Sequence, residues 1–580
     1  MNKAFYARLA AQNIKRGRDV FLPQMVSTAV IGGTFFLING LCMSESLENL
    51  PSGRTATMMF SMGVWLFALF AFFFMFYINS FLVRRRKKEF GLYAVLGLSK
   101  RQIGHVLLLE NLFSMGLGLF FGVLIARVFG QLLFMLLMRL MHTAEGSVLS
   151  FGLSPYLMTF ALFAVLFIAN VVYGQISVHL SSPMALLKSE KKGDKDSKLL
   201  VPAAVVGALL MGFAYYAAWT IKSSIKALSI FFPLAMLVIL ATYLLFESGS
   251  VAFLKALKKN RAFYYKTEHF MTVSGLLHRM RQNARGLASI CILSTMLVVT
   301  VSCTLSLYIG QEEMLRDTFP FDVQVYRIPA DRLDEADKTI SELAASYNLT
   351  VTADESKLIP YDQAIADGSS GYDENVILTG AEVIVLDHII AMKKDQSSDQ
   401  ARVMFDLAGG DDERCIEYLN ALQAAIWKQF PGIEQSNISD IFNTRIDGYG
   451  MYGGLLFLGV FFGVLFLAVT VLIIYFKQIT EGYEDKERFD ILQKVGMDEA
   501  QVKTTINRQV LWVFFVPVLM TLMHMLFASR IMTRMLSAFR LVNWPLVLAC
   551  IGGTFVLYAL IYWVVYRLTA RVYFKILKRV

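Results

Sequence analysis

Long apolar runs separated by short polar segments, most of them basic, set the rhythm of this chain. A helix needs roughly 20 apolar residues to cross the hydrocarbon core of a bilayer. Ten runs meet that length: Phe21–Met43, Met58–Val83, Val106–Leu137, Tyr156–Val178, Leu200–Thr220, Leu228–Leu254, Leu287–Gly310, Tyr452–Phe476, Gln509–Ser529 and Val542–Tyr566. The third exceeds a perpendicular crossing, so it is expected to tilt or to continue as a surface helix. The N-terminus, Arg84–Arg101, Lys188–Lys198, Lys255–Arg285 and Lys575–Arg579 are basic and fall on one side of a ten-span arrangement. By the positive-inside rule that side is the cytoplasm, with both termini there. The first apolar run is a full span with no small-residue cleavage site behind it, so it reads as a retained anchor.

The polar segments repeat. Arg84 to Ile103, RRRKKEFGLYAVLGLSKRQI, recurs near Lys486 to Val502, KERFDILQKVGMDEAQV. At a constant offset of 399 positions Lys87 falls on Lys486, Phe90 on Phe489, Gly97 on Gly496 and Gln102 on Gln501. Each copy lies between two spans, and Phe90, Tyr93, Ala94 and Gly97 have the spacing of a short amphipathic helix. A charged helix repeated between spans reads as a docking lever for a soluble partner. A second repeat pairs Asn13-Ile14-Lys15-Arg16-Gly17-Arg18 before the first span with the basic run Arg279 to Arg285 before the seventh. Spans one to four and seven to ten thus form two copies of a four-span unit, with spans five and six as an intervening hairpin. Duplication of this kind suits halves that move against each other. The expected divisions are 1–199, the first four-span unit; 200–270, the hairpin and its connector; 271–310, an approach helix and span seven; 311–450, an extracellular domain; and 451–580, spans eight to ten.

Charge separates that domain from the rest. Residues 311–450 hold 11 Lys/Arg against 27 Asp/Glu, a net of −16, which leaves +26 for the remainder. About 140 residues suffice for a domain with its own core. Alternation in Phe321–Arg327 and Val376–Leu378 predicts strands, and Arg332–Tyr347 and Asp412–Phe430 predict helices, with a polar loop at Lys393–Gln400. The fold expected is therefore an all-α polytopic membrane protein with one small α+β extracellular domain.

Composition agrees: 56% apolar residues, mean hydropathy +0.53 and only 17% charged residues, against roughly 25% charged in soluble domains. Five cysteines, four in or beside apolar runs, make no disulfide framework. No G-x-x-x-x-G-K-[ST], H-E-x-x-H or C-x-x-C occurs and the seven histidines are scattered, so the chain reads as a non-catalytic subunit. Within the spans, Glu110 and Asn111 open the third, and Gln509 stands at the position equivalent to Glu110 in the ninth. Charged groups in a span usually face a partner or cavity. These three residues, Glu110 and Gln509 above all, either tie the docking segment to the span and transmit motion or lie at the headgroup level. Asn39, Asn79 and Asn170 read as interhelical hydrogen-bonding residues.

Two copies of an E-F-G-x-x-x-x-x-G type segment, the first reading Glu89-Phe90-Gly91-Leu92-Tyr93-Ala94-Val95-Leu96-Gly97, resemble the FtsX-like permease domain of ABC systems. Ten spans with one large external domain between the seventh and eighth are similar to the bacitracin-resistance (Bce-type) permeases. The resemblance implies a permease in a bacterial plasma membrane bound to two copies of a separate cytoplasmic ATPase. ATP and Mg would sit in that partner, with no cofactor in this chain. It implies coupling residues Glu89, Phe90, Gly97, Phe489 and Gly496, with Glu110 and Gln509 transmitting motion. It also implies ligands that are peptide antibiotics and cell-wall lipid intermediates, a membrane histidine kinase as an associate, and no nucleic acid.

Arg127, Arg139, Arg530, Arg534 and Arg540 fall near the outer leaflet, against the positive-inside bias. Guanidinium groups match phosphate oxygens, so the set reads either as a site for a lipid pyrophosphate or as ordinary headgroup contacts. The acidic domain either steers cationic peptides or is acidic for solubility. Two other readings compete: a scaffold signalling to an external cell-wall hydrolase, and a lipid or lipoprotein extractor. The extractors usually carry their large domain after the first span, whereas Ser44–Thr57 is short.

Overall fold

The computed structural model describes residues 3–50, 52–143, 148–179, 200–264, 267–354, 382–393, 399–430, 437–494 and 499–577. Its helices are α1 (Lys3–Arg16), α2 (Arg18–Cys42), α3 (Glu45–Glu48), α4 (Gly53–Arg85), α5 (Lys87–Val95), α6 (Lys100–Leu140), α7 (Ser154–His179), α8 (Leu200–Thr220), α9 (Ser224–Leu244), α10 (Ser250–Lys259), α11 (Arg261–Tyr264), α12 (Thr267–Thr318), α13 (Leu333–Ser346), α14 (Asp412–Gln429), α15 (Ile441–Lys494), α16 (Glu499–Leu536) and α17 (Trp544–Leu577). Among the described residues ten helical stretches are long and apolar enough to cross a membrane, and they match the ten runs read from the sequence. A π-helical turn, Leu245–Gly249, joins α9 to α10, so span six continues past its apolar run. The third span is one unbroken helix of 41 residues, about 60 Å at 1.5 Å per residue. The approach helix and span seven are likewise continuous, as α12.

The chain forms two compact units. The larger comprises Met1–Leu307, Gly453–Ala538 and Val542–Val580. Within it, α2 and α6 pack backbone to backbone. An ideal Cβ on Gly122 would lie 2.3 Å from the Ala29 carbonyl oxygen, one on Gly118 2.7 Å from that of Met25, and one on Gly33 2.6 Å from that of Gly122. Small residues permit such approach in membrane helices, where no hydrophobic effect drives association. The two repeats meet along α4 and α15 in a ladder of rings: Phe60 on Phe457, Phe67 on Phe462, and Phe70 and Phe74 on Phe466. Ile78, Leu82, Leu472 and Phe476 extend the seam. The central hairpin α8–α9 packs on α16. The Tyr215 hydroxyl lies 2.7 Å from His524 Nδ1, and the Thr242 hydroxyl lies 3.2 Å from its Nε2. Tyr215 also stacks on Phe527, with centroids 4.0 Å apart.

The second unit comprises Tyr308–Tyr452 with Phe539–Leu541. It is an antiparallel sheet of β1 (Val323–Pro329), β2 (Thr350–Thr352), β3 (Glu382–Val385), β4 (Ile390–Lys393), β5 (Gln400–Ala408) and β6 (Ile438–Asp440), in the order β3-β4-β5-β1-β6, with β2 also on β5. Val323, Val325, Ala401, Val403, Phe405 and Leu407 lie at alternate positions and bury one face against Ala336, Ile340, Tyr418, Leu422 and Ile426 of α13 and α14, while Met404 packs in a separate cluster with Phe321 and Ile390. The Tyr418 hydroxyl reaches the Ile340 carbonyl at 3.2 Å. The strand read at Phe321–Arg327 begins at Val323 instead, because Asp322 accepts from the Leu407 amide through its side chain at 3.2 Å while its own carbonyl accepts the Ile441 amide at 2.9 Å. The strand expected at Val376–Leu378 and residues 394–398 of the polar loop lie outside the described residues.

Candidate functional site

The segment between the second and third spans is built around a buried ion pair. Helix α4 ends at Arg85, and Arg86 turns the chain into the nine-residue α5. Arg86 directs its guanidinium inward: Nη1 and Nη2 donate to Glu110 Oε2 and Oε1 of α6, the latter at 3.0 Å, and Nε donates to Glu89 Oε2 at 2.7 Å. The Arg86 side chain is 6% exposed and that of Glu110 1%. Asn13 of α1 donates to Glu110 Oε1 at 2.7 Å and accepts from the Tyr93 hydroxyl at 3.3 Å. The rings of Phe21 and Phe90 lie 4.9 and 5.3 Å from the guanidinium carbon. Burial alone would lower the Arg86 pKa; the hydrogen bonds and charge of Glu110, helped by Glu89, reverse that and raise it above the ordinary arginine value. One side chain thereby joins α4, α5, α6 and, through Glu110, α1. A small cavity lined by Gln24, Asn79 and Asn111 adjoins the pair, and Gln24 donates to Asn111 there at 3.2 Å.

The tip of the segment is fixed by its backbone. Leu98 N–H bonds the Tyr93 carbonyl at 3.0 Å and Gly97 N–H that of Ala94 at 3.2 Å. This is the paired closure of a Schellman motif, and Gly97 holds the left-handed residue with φ of 94°. Ser99 and Gln102 then form a capping box that starts α6. Phe90 faces inward, 2% exposed, in a cluster with Val83, Ile103, Leu107 and Val178. What α5 turns outward is Leu92, Val95 and Leu96, exposed by 52, 64 and 72%. Of the residues singled out from the sequence, Glu89 is half exposed beside Arg86, Phe90 is a packing residue, Gly97 shapes the turn, and Glu110 is the anion of the buried pair. Sequence reasoning missed Arg86 and the apolar tip. Arg86 stands three residues before Glu89, an ion-pair spacing on a helix, but its counterpart at the 399 offset is Asp485, so the repeat did not mark it. The tip residues have i, i+3, i+4 spacing on the face opposite Phe90.

The second copy is built differently. Helix α15 runs 54 residues without a break from span eight into the repeated segment, as far as Lys494. Gly496 and the side chains of Phe489 and Gln509 lie outside the described residues. Asp485 is 4% exposed and accepts from the Tyr573 hydroxyl of α17 at 2.7 Å. Lys477 and Glu481, each 5% exposed, lie 3.9 Å apart, with Lys477 Nζ 5.0 Å from the Phe514 ring. Two of the acids that make this segment acidic, Glu481 and Asp485, are therefore engaged within the fold.

The five arginines do not form one cluster. Arg127 and Arg139 are exposed on α6, twelve positions apart, about 18 Å along the axis. Arg127 lies over Phe151 at 4.8 Å. Arg530 and Arg534 are on α16, Arg530 over Trp219 at 5.3 Å. Arg540 belongs to the second unit, where it donates to the Asp317 carbonyl at 3.3 Å.

Residues 61–182 and 460–574, one stretch in each repeat, match the family described as FtsX-like permease C-terminal. Over nearly its whole length the chain is 24% identical to the ABC transporter permease protein YxdM of Bacillus subtilis, covering 95% of this chain and 97% of that protein. It is 22% identical to the bacitracin export permease protein BceB of Bacillus subtilis and 21% identical to that of Halalkalibacterium halodurans, in each case over 84% of this chain and 86% of the relative.

Proposed function

We propose that the chain is an FtsX-like permease of an ABC transporter, as its family match and its relatives support, and that it couples ATP hydrolysis by two copies of a separate ATPase to the release of peptide antibiotics from cell-wall lipid intermediates. The observation that carries the coupling is the α5 tip. Three exposed leucine and valine side chains, on a short helix held from behind by a buried ion pair, are what a rigid docking lever requires: an apolar anchor that gains by being covered and a support that does not yield. The ATPase seats on Leu92, Val95 and Leu96, on the cytoplasmic side, and the force passes through Arg86 to Glu110 and span three. The names of the two bacitracin export relatives support the choice of ligand class, and the −16 segment supports attraction of a cationic peptide to the extracellular side. The ring ladder between α4 and α15 favours release over conduction between the repeats, since it packs apolar rings where a peptide path would need a wet lining. The two exposed arginines that lie over aromatic rings, Arg127 and Arg530, are the members of the arginine set best placed to meet a lipid phosphate, and a membrane histidine kinase reads the state of the complex.

The test is ATP hydrolysis by the purified complex with the ATPase encoded beside it, titrated with bacitracin and other peptides that bind cell-wall lipids. A change in rate at low micromolar peptide is expected. No response to any peptide, with or without its lipid, would overturn the resistance reading in favour of a signalling scaffold.

A further inference from the structure

We infer that the second coupling segment is positioned by the C-terminal helix α17, through the hydrogen bond from Tyr573 to Asp485, so that the two coupling segments act on different spans. This rests on the coupling role proposed above. In the first copy Arg86 and Glu110 join the segment to α6. At the 399 offset those positions hold Asp485 and Gln509, neither of which carries a positive charge, so the same clamp cannot form in the second copy. A carboxylate sealed from water needs donors. For Asp485 one donor is the Tyr573 hydroxyl at 2.7 Å, itself 1% exposed. The anchor has thus moved from the third helix of the repeat to the fourth.

Helix α17 is equipped to carry a displacement onward. Tyr558, Tyr562, Tyr566 and Tyr573 lie at i, i+4, i+8 and i+15, on one stripe of the helix, and all are buried. The Tyr558 hydroxyl bonds Ser294 of α12, and that of Tyr562 donates to the Phe514 carbonyl of α16 at 2.8 Å. Force entering at Asp485 therefore reaches α17 as well as span eight of its own helix, and is distributed from α17 to spans seven and nine. Force entering at Arg86 reaches span three directly. Tyr573 is a positioning residue in this scheme.

Hydrogen–deuterium exchange of the full complex with its ATPase, with and without nucleotide, tests it. In the wild-type complex nucleotide changes exchange both at residues 567–573 of α17 and at residues 100–110 of α6. Loss of a hydrogen bond to a carboxylate shifts a local equilibrium by roughly tenfold or more, so Tyr573→Phe reduces the response of α17 by about that factor and leaves that of α6 intact. Asp485→Asn keeps an acceptor and retains most of the response, which a merely structural loss of packing would not predict. If Tyr573→Phe fails to accumulate, the double variant Asp485→Leu with Tyr573→Phe removes the buried charge together with its donor and gives the same readout. A wild-type response of α17 in the Tyr573→Phe complex overturns the inference. Absence of any response in either helix of the wild-type complex overturns the coupling reading itself, a separate and recognisable result.

Discussion

Truncation of Glu110 to alanine exposes the cost of the buried pair most directly. Arg86 would keep its charge, 6% exposed, while losing two parallel hydrogen bonds to Glu110 and the Asn13 contact that steadies that carboxylate. Glu89, with its side chain 54% exposed, stays as the remaining anion. Removing one partner of a buried ion pair typically costs about 3–5 kcal/mol, because the survivor is left charged without compensation. Partial compensation by Glu89 argues for the lower end, about 3 kcal/mol, or roughly a hundredfold in the population of an opened segment. The double variant Arg86→Met with Glu110→Leu removes both charges at similar volume and is expected to recover most of that loss, since an apolar replacement of a whole buried pair is often neutral. Membrane abundance and limited proteolysis between spans two and three distinguish the variants: rapid cleavage for Glu110→Ala, near wild-type resistance for the double. Equal damage in both would show that α5 is held by shape and not by charge, and the argument from electrostatics would fail.

Leu96→Asp should leave abundance unchanged, because Leu96 is exposed, and should weaken recovery of the ATPase with the purified protein by tenfold or more, about the 1.4 kcal/mol that a central apolar contact exceeds. Gly122→Ala should sharply lower abundance, since its Cβ would meet the Ala29 carbonyl oxygen at 2.3 Å, whereas Gly116→Ala, with nothing within 4 Å, should be neutral or stabilising on a thermal aggregation curve. Gly97→Val should destabilise the α5–α6 turn by about 1–2 kcal/mol through its positive φ, read as faster proteolysis at the tip. Burial first, and then the carboxylates of Asp412, Asp322 and Asp411, push the Cys415 thiol above its ordinary value. Alkylation of the native protein at pH 8 should therefore lag that of the unfolded chain, and the fold should lose stability as pH rises beyond the ordinary thiol range, where the unfolded chain ionises first.

The spans were legible because length and apolarity alone decide them, and Phe21 to Tyr566 could be divided into ten without any tertiary knowledge. Helix α5 was legible as a helix from the spacing of Phe90, Tyr93 and Ala94. Its polarity of action was not: the hydrophobic pattern cannot say which apolar face is covered, and it is Phe90 that packs inward while Leu92, Val95 and Leu96 remain outside. The strands β2 to β6 escaped notice for a different reason. The three or four residues of β2, β3, β4 and β6 carry too little alternation to register, and the nine-residue β5 reads as a strand only once Phe405 is seen opposite Val323. Arg86 was lost in a run of five cations, Arg84 to Lys88, where sequence gives every member the same description. Burial against Glu110, 24 residues away, is what singles it out.

Duplication explains why the repeats share their spans, but the contacts inside them have diverged in a consistent direction. Gly118, Gly122, Ala126 and Gly130 line α6 at four-residue spacing; the 399 offset places Pro517, Thr521, Met525 and Ser529 there in α16. In the first repeat α2 and α6 therefore touch through backbone, at distances that leave no room for even a methyl group on Gly122. In the second, Thr521 reaches the Cys291 carbonyl of α12 through its hydroxyl at 3.3 Å, so side chains stand between the helices. A backbone contact of this kind cannot slide without a clash, while side chains can change rotamer as helices shift. The continuous α15 and the broken α4–α5 follow the same division, because a 54-residue helix transmits rotation along its length and a capped turn holds a fixed angle.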